Sequence, residues 1–349
     1  MKQAFFLTGA LFIWPGLFLP GLALKAQSEW PRTEVCILWN NAENLFYPSD
    51  DSLTADEDFT PMGNRHWTYS RYREKLTRLA RVIVAAGRWQ APEVVGLCEV
   101  ECGIVLEDLV NHPMLKPYEY SYIHRESPDI RGMDVACLFR PGRITLVDWE
   151  SCASPFFLCS PALESKGKKR ATREMLHATF AAGKGDTLDL LLVHLISKYS
   201  GAGATALARR EQSLGLVSKC VQLRQQHPER LLLLAGDFNE TVDGYSLEPL
   251  MNLNVGKDTL RAIQPANGPG TYRYQGRWSF IDHFFVLGSP KGIGLSTHML
   301  EYSDLFIEDE IYGGLKPRRT YVGFQYQAGF SDHLPLVLDI SLRPSLIAF

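Results

Sequence analysis

The chain has no surplus of positive charge. Its 36 Lys and Arg face 39 Asp and Glu, for a net charge of −3. A constitutive nucleic-acid binder is usually strongly basic, so that class is disfavoured. An enzyme that meets a polyanion briefly through a local basic rim is not. No internal repeat or low-complexity linker interrupts the chain, and nothing in it is disordered or collagenous in composition. Cysteine is scarce, and none of the seven has zinc-ligand spacing. The odd count leaves at least one thiol free in a monomer. Cys98 and Cys137 lie in apolar runs and read as buried thiols, whereas Cys152 and Cys159 flank a Ser- and Pro-rich segment and are the best disulfide candidates.

What is present is enough apolar residue, 46% against 21% charged, to bury a sizeable core over 349 residues. Lys2 precedes an uncharged apolar stretch from Ala4 to Leu24, and Ala26 offers a cleavage site before Gln27. A secretory signal peptide is expected over residues 1–26, with one catalytic domain over 27–349. The stretch approaches the roughly 20 residues of a spanning helix, but Pro15 and Pro20 interrupt it. The expectation is export to the periplasm or outside the cell, with no stable membrane span after cleavage.

Beyond residue 30, apolar runs alternate with helical patterns. Strands are expected at 35–39, 93–98, 187–195, 230–235, 279–286 and 334–342, and helices at 69–86, 103–111 and 204–226. Residues 133–139 and 143–148 read as a strand pair turned at Pro141-Gly142. Many strands and few long helices imply two sheets packed face to face with helices outside.

The polar residues of interest sit at strand ends. Asn41 follows VCILW, Glu99 follows VVGLC, His194 ends LLLVH, and Asp237 with Asn239 follows LLLLAG. Asp237 and Asn239 are two apart and start on one side of an extended chain, where they can hold and deprotonate a water. Gly236 is expected to allow a tight turn before them. Glu99 is a single carboxylate of the kind that anchors Mg²⁺, which takes oxygen ligands and few protein carboxylates; Glu101 is the alternative. Asp332-His333 opens the last strand, and a carboxylate-positioned His is the usual hydrolytic arrangement. Asp282 lies in an apolar strand and needs a partner, which His333 or a metal supplies. Each motif alone is also readable as a turn or a satisfied core residue.

Together and in this order, the motifs NAEN at 41–44, Glu99, His194, GDFN at 236–239, IDH at 281–283 and SDH at 331–333 resemble the endonuclease/exonuclease/phosphatase superfamily. The resemblance spans about residues 33–342. TREML at 172–176 and RRTYVGF at 318–324 look like a bacterial secreted-type branch. It implies a four-layer α/β sandwich, with two mostly antiparallel sheets flanked by helices. It also implies a Mg²⁺ cofactor (Mn²⁺ or Ca²⁺ as substitutes) held on the side of Asn41, Glu99, Asp332 and Glu43. By motif position, Asp237 and Asn239 handle the attacking water, Asp282 pairs with His333, and His194 is the candidate acid for the leaving group. Arg173 and Arg319 are expected to contact phosphate, with Arg131 and Asp134 at the site edge.

The basic run Lys166, Lys168, Lys169 and Arg170 reads as a solvated loop. Tyr272, Tyr274 and Trp278 form an aromatic group before Asp282, suited either to stacking on a base or to core packing. The expected activity is a secreted, monomeric nuclease or phosphodiesterase acting on nucleic acid. A sphingomyelinase-like lipid phosphodiesterase, a sugar- or inositol-phosphate phosphatase and a non-catalytic binding module are the alternatives. Against the lipid reading, the sequence shows no long exposed apolar hairpin for membrane entry.

Overall fold

The computed structural model describes residues 34–88, 90–152, 172–182, 186–198, 201–288 and 292–342. The expected signal peptide, Cys159 and the basic run 166–170 lie outside the described residues. In chain order the structure runs β1 (Glu34–Leu45), α1 (Tyr69–Ala86), β2 (Val94–Val100), α2 (Gly103–Val110), β3 (Ser121–His124), β4 (Asp134–Phe139), β5 (Thr145–Cys152), β6 (Met175–Ala182), β7 (Asp186–His194) and α3 (Ala202–Gln226). It continues through β8 (Leu231–Asp237), α4 (Glu248–Met251), β9 (Asn254–Val255) and β10 (Asp258–Ile263). A hairpin of β11 (Tyr272–Tyr274) and β12 (Arg277–Ser279) follows, then β13 (Asp282–Leu287) and β14 (Ile293–Met299). Two further hairpins, β15 (Phe306–Glu308) with β16 (Leu315–Pro317) and β17 (Tyr321–Val322) with β18 (Gln325–Tyr326), precede β19 (Leu336–Leu342).

Two large sheets result, ordered β14-β19-β1-β2-β4-β3 and β5-β6-β7-β8-β13-β10-β9. Each has one parallel pair, β1 with β2 and β7 with β8, amid antiparallel neighbours. This is the expected four-layer sandwich. The Leu runs explain its thickness. Along β7 and β8, Leu188, Leu190, Leu192, Leu231 and Leu233 face the core between the sheets, while Leu191, Val193, Leu232 and Leu234 face a second core under α3. A strand buried on both faces reads as a continuous apolar run. At Gly96 the sheets meet so closely that an added Cβ would lie 2.8 Å from Trp39 and 2.9 Å from Leu192.

Helix α1 begins where Thr68 caps Arg71 N and ends at Gly87, as its pattern predicts. The expected pair at Pro141-Gly142 is not a hairpin. Both edges of β4 are taken by β2 and β3, so β5 crosses to the edge of the other sheet beside β6. The run 279–286 is likewise broken: β12 ends at Ser279 and β13 starts at Asp282. Among the described residues, no helix is long and apolar enough to cross a membrane.

Candidate active site

Three adjacent strands of the second sheet end level with one another. His194 on β7 is in register with Asp237 on β8, and Asp237 is in register with Asp282 on β13. This row is possible because Gly236 lets β7 and β8 approach closely; a Cβ there would lie 2.4 Å from the Val193 side chain. Gly236 therefore serves close approach and not the turn expected for it. The left-handed residue is Asn239, at φ 50°. Its backbone N–H donates to Asp237 Oδ1 (2.9 Å), and its amide donates to Leu195 O (3.1 Å).

His333 reaches into this row from the loop before β19. Its Nδ1 lies 2.7 Å from Asp282 Oδ2 and its Nε2 3.7 Å from Asp237 Oδ2. Asp282 is fixed by Trp39 Nε1, which donates to Oδ1 at 2.9 Å. Ser331 Oγ donates to Asn41 O and accepts the N–H of His333, so it ties the His333 loop to β1. From the first sheet, Asn41 Nδ2 donates to Asp237 Oδ2 (3.1 Å) and Glu99 Oε1 (3.3 Å). Glu99 sits at a bulge of β2 with φ 59°, and Glu43 and Asn44 share that left-handed geometry. Strained backbone concentrated at one place is typical of functional sites.

Burial sets the electrostatics. It drives His194 well below the ordinary histidine value, and the positive charges of Arg131 and His333 add to this, so His194 is neutral. Burial also opposes charge on His333, but Asp282 and Asp237 outweigh it and hold the imidazolium well above the ordinary range. Asp282, which burial would raise, is instead pulled below the usual carboxylate value by charged His333 and its hydrogen bonds. Asp237 is pushed up to about 8, by burial first and by Asp282 and Glu99, against the pull of His333. Burial and then Asp332 raise Glu99.

The remaining expected residues serve other parts. Glu43 accepts Arg319 Nε (3.2 Å) and Thr320 N (2.5 Å), and Arg319 Nη2 donates to Asp332 (2.9 Å). Arg319 is thus a clamp between two carboxylates, with its side chain partly exposed. Arg173 is buried, donates to Leu195 O and pairs with Asp129 at 3.5 Å. Asp134 faces His124 Nε2 (2.9 Å) and Ser127 N. Glu101 accepts Tyr47 N, which leaves Glu99 as the site carboxylate. Trp278 packs on Phe306 and under Arg273. Arg273 is its cross-strand partner, while Tyr272 lies on the opposite face of the hairpin. Tyr272 is the aromatic beside the site, 4.9 Å from the His333 ring.

Lys75 was missed. Its ammonium is fully buried and donates to Thr320 Oγ1 (2.6 Å) and Phe330 O (2.5 Å). The signal was present: Lys75 lies on the stripe of Tyr72, Leu76 and Leu79 that α1 turns to the core.

Asn41, Glu99, Asp237 and Asp332 present oxygen donors, the set a hard divalent cation takes. The electrostatic strain of Glu99 against Asp332 and burial is what such a cation would relieve. The residues fit a metal, held by Glu99 and Asn41 with Asp332 close by.

The chain matches the Endonuclease/Exonuclease/phosphatase family over residues 36–342 and belongs to it. Members of this family are phosphoesterase hydrolases. No curated protein matches the chain in sequence. Among solved structures, a Bacteroides vulgatus endonuclease/exonuclease/phosphatase is similar with a TM-score of 0.57 and 17% identity, covering 89% of this chain and 100% of that one. The Bacteroides thetaiotaomicron mannosyl-6-phosphatase Bt3783 gives 0.54 and 18%, covering 88% and 99%. D. rerio TDP2 complexed with single strand DNA product gives 0.51 and 14%, covering 88% and 98%.

Proposed function

We propose that the chain is a Mg²⁺-dependent phosphodiesterase that acts on nucleic acid and is exported as a monomer. The observation that carries the reading is the level row His194–Asp237–Asp282 with His333 bridging its carboxylates. Asp237, at about 8, is matched to taking a proton from an attacking water near neutral pH. The His333 imidazolium, locked by Asp282, faces the charge that builds on a phosphoryl group and has a proton for the leaving oxygen. His194 is neutral and so is a hydrogen-bonding group here; the acid's part passes from it to His333. A Mg²⁺ bound by Glu99 and Asn41 would neutralise phosphoryl oxygens. The half-buried ring of Tyr272 beside His333 suits a stacked base, and the likeness to TDP2 with its single strand DNA product supports a nucleic-acid substrate.

One observation favours a second reading. The β15–β16 hairpin exposes Ile307, Ile311, Tyr312 and Leu315, which removes the objection that no apolar hairpin is present. A lipid phosphodiester therefore joins the test. The likeness to the mannosyl-6-phosphatase adds a sugar phosphate.

The chain from Gln27 onward is incubated with Mg²⁺ against plasmid DNA, RNA, sphingomyelin and a sugar phosphate, with EDTA and Asp237→Asn as controls. Metal-dependent cleavage of DNA or RNA by wild type alone is the expected result. Turnover of only the lipid or only the sugar phosphate would overturn the nucleic-acid reading. Light scattering and cell fractionation check the monomer and its export.

A further inference from the structure

We propose that Cys98, His194 and Asp237 form a thiophilic metal site in the floor of the active site, and that Zn²⁺ seated there inhibits the enzyme. The three side chains are 0%, 2% and 1% exposed. A sulfur, a ring nitrogen and a carboxylate oxygen from them all lie within 4.8 Å of one another. His194 Nε2 is 3.6 Å from Asp237 Oδ2. Two donors each about 2.0–2.2 Å from a tetrahedral zinc stand close to that separation.

The arrangement arises from the fold. In a regular strand Cys98 and Glu99 would point to opposite faces. The bulge of β2, with Glu99 left-handed, brings both neighbours to the site. Cys98 then faces His194 and Asp237 across the gap between the sheets.

One feature lacks a role in phosphoester hydrolysis. A thiol is a poor ligand for Mg²⁺, which takes hard oxygen donors, so Cys98 is left over. His194 Nδ1 is buried and has no hydrogen-bond partner among the described residues, and its Nε2 stands 3.6 Å from Asp237 and 4.0 Å from Glu99. A Cys, a His and a carboxylate are the mixed donor set that selects zinc over magnesium. Binding would release the Cys98 thiol proton to solvent. It would also occupy His194 and Asp237, which the proposed hydrolysis needs free. The inhibition rests on that proposed function; the binding does not.

Co²⁺ added to the full chain reports the site directly. Wild type is expected to show a near-ultraviolet thiolate-to-cobalt charge-transfer band that Zn²⁺ displaces. Cys98→Ser and Cys98→Ala should both lose the band, and Zn²⁺ affinity by calorimetry should fall about tenfold or more, at least the loss seen for supporting residues of metal sites. Inhibition by Zn²⁺ should need correspondingly more metal in these variants, while Mg²⁺-dependent turnover stays near wild type. No band in wild type, or unchanged Zn²⁺ affinity in both variants, would overturn the site. A Cys98-dependent band in a protein that hydrolyses no phosphodiester would sustain the site and sink only the proposed function.

Discussion

His333 Nδ1 and Asp282 Oδ2 are 2.7 Å apart, and both side chains are buried. Asp282 thereby fixes the ring's orientation and its charge. Replacing Asp282 by Asn keeps the shape but removes the charge that holds the imidazolium. Turnover in Asp282→Asn and in His333→Ala should each fall about 10²–10⁴-fold. Groups acting as a unit are not additive, so the double variant should be little worse than His333→Ala. A double variant at the product of the two losses would show that the residues act independently.

Asp237→Asn should lower turnover by about the same factor and leave the fold intact. The carboxylate is disfavoured by burial, so its removal relieves desolvation. Thermal melting of this variant should be no lower than wild type. Near-wild-type turnover would remove Asp237 from the water-handling part.

Lys75 is the buried cation behind the site, lowered to about 8 by burial against the opposing pull of Glu43, Asp332 and Glu99. Lys75→Met leaves the Thr320 hydroxyl and the Phe330 carbonyl without their buried partner, while Glu43 keeps Arg319 and Thr320 N. Leaving buried hydrogen-bonding groups unsatisfied costs about 1–3 kcal/mol, which denaturant unfolding would register. A loss below about 1 kcal/mol, the scale of a surface pair, would mean that Lys75 holds little in place.

Asp189 supplies the pH dependence. Burial would raise it, but bonds from His177 and Thr179 and the charge of Arg230 bring it below its ordinary 3.8. A depressed carboxylate contributes stability that is present above the unfolded value and is lost as pH falls through the folded one. Asp189→Asn should therefore be less stable at neutral pH by about 1.5–3 kcal/mol, the worth of a hydrogen bond to a charged group. That deficit should shrink below pH 3.8. A deficit constant from pH 7 to pH 2 would exclude the charged form as its source.

Tyr272 and Trp278 stand on opposite faces of one hairpin. Trp278→Ala should lower melting temperature with little change in KM. Tyr272→Ala should raise KM with little change in melting temperature. The reverse pairing would place the substrate on the Trp278 face.

Much of this protein is written locally. A run such as LLLLAGD can only be a strand buried on both sides, Thr68 and Gly87 bound α1, and the polar residues at strand ends mark one edge of the sheets. Local order also sufficed for the family, whose motifs fall at those ends. The partition of strands was not local: β4 and β5 follow each other with a turn signal between them, yet both edges of β4 were already filled. Nor was the division of labour among the polar residues. Arg319 has the composition of a phosphate ligand, but Glu43, distant in sequence, claims its guanidinium.

By itself, then, the sequence determined the elements, the edge where chemistry gathers and the oxygen-rich donor set. Only the tertiary structure decided which histidine is charged, which carboxylate is pushed up and which pulled down, and which arginine is already engaged. The physical reason is that ionisation and pairing depend on through-space distance and burial. Asp282 takes its charge state from His333 and its fixed position from Trp39, partners 51 and 243 residues away, a dependence that no local pattern encodes.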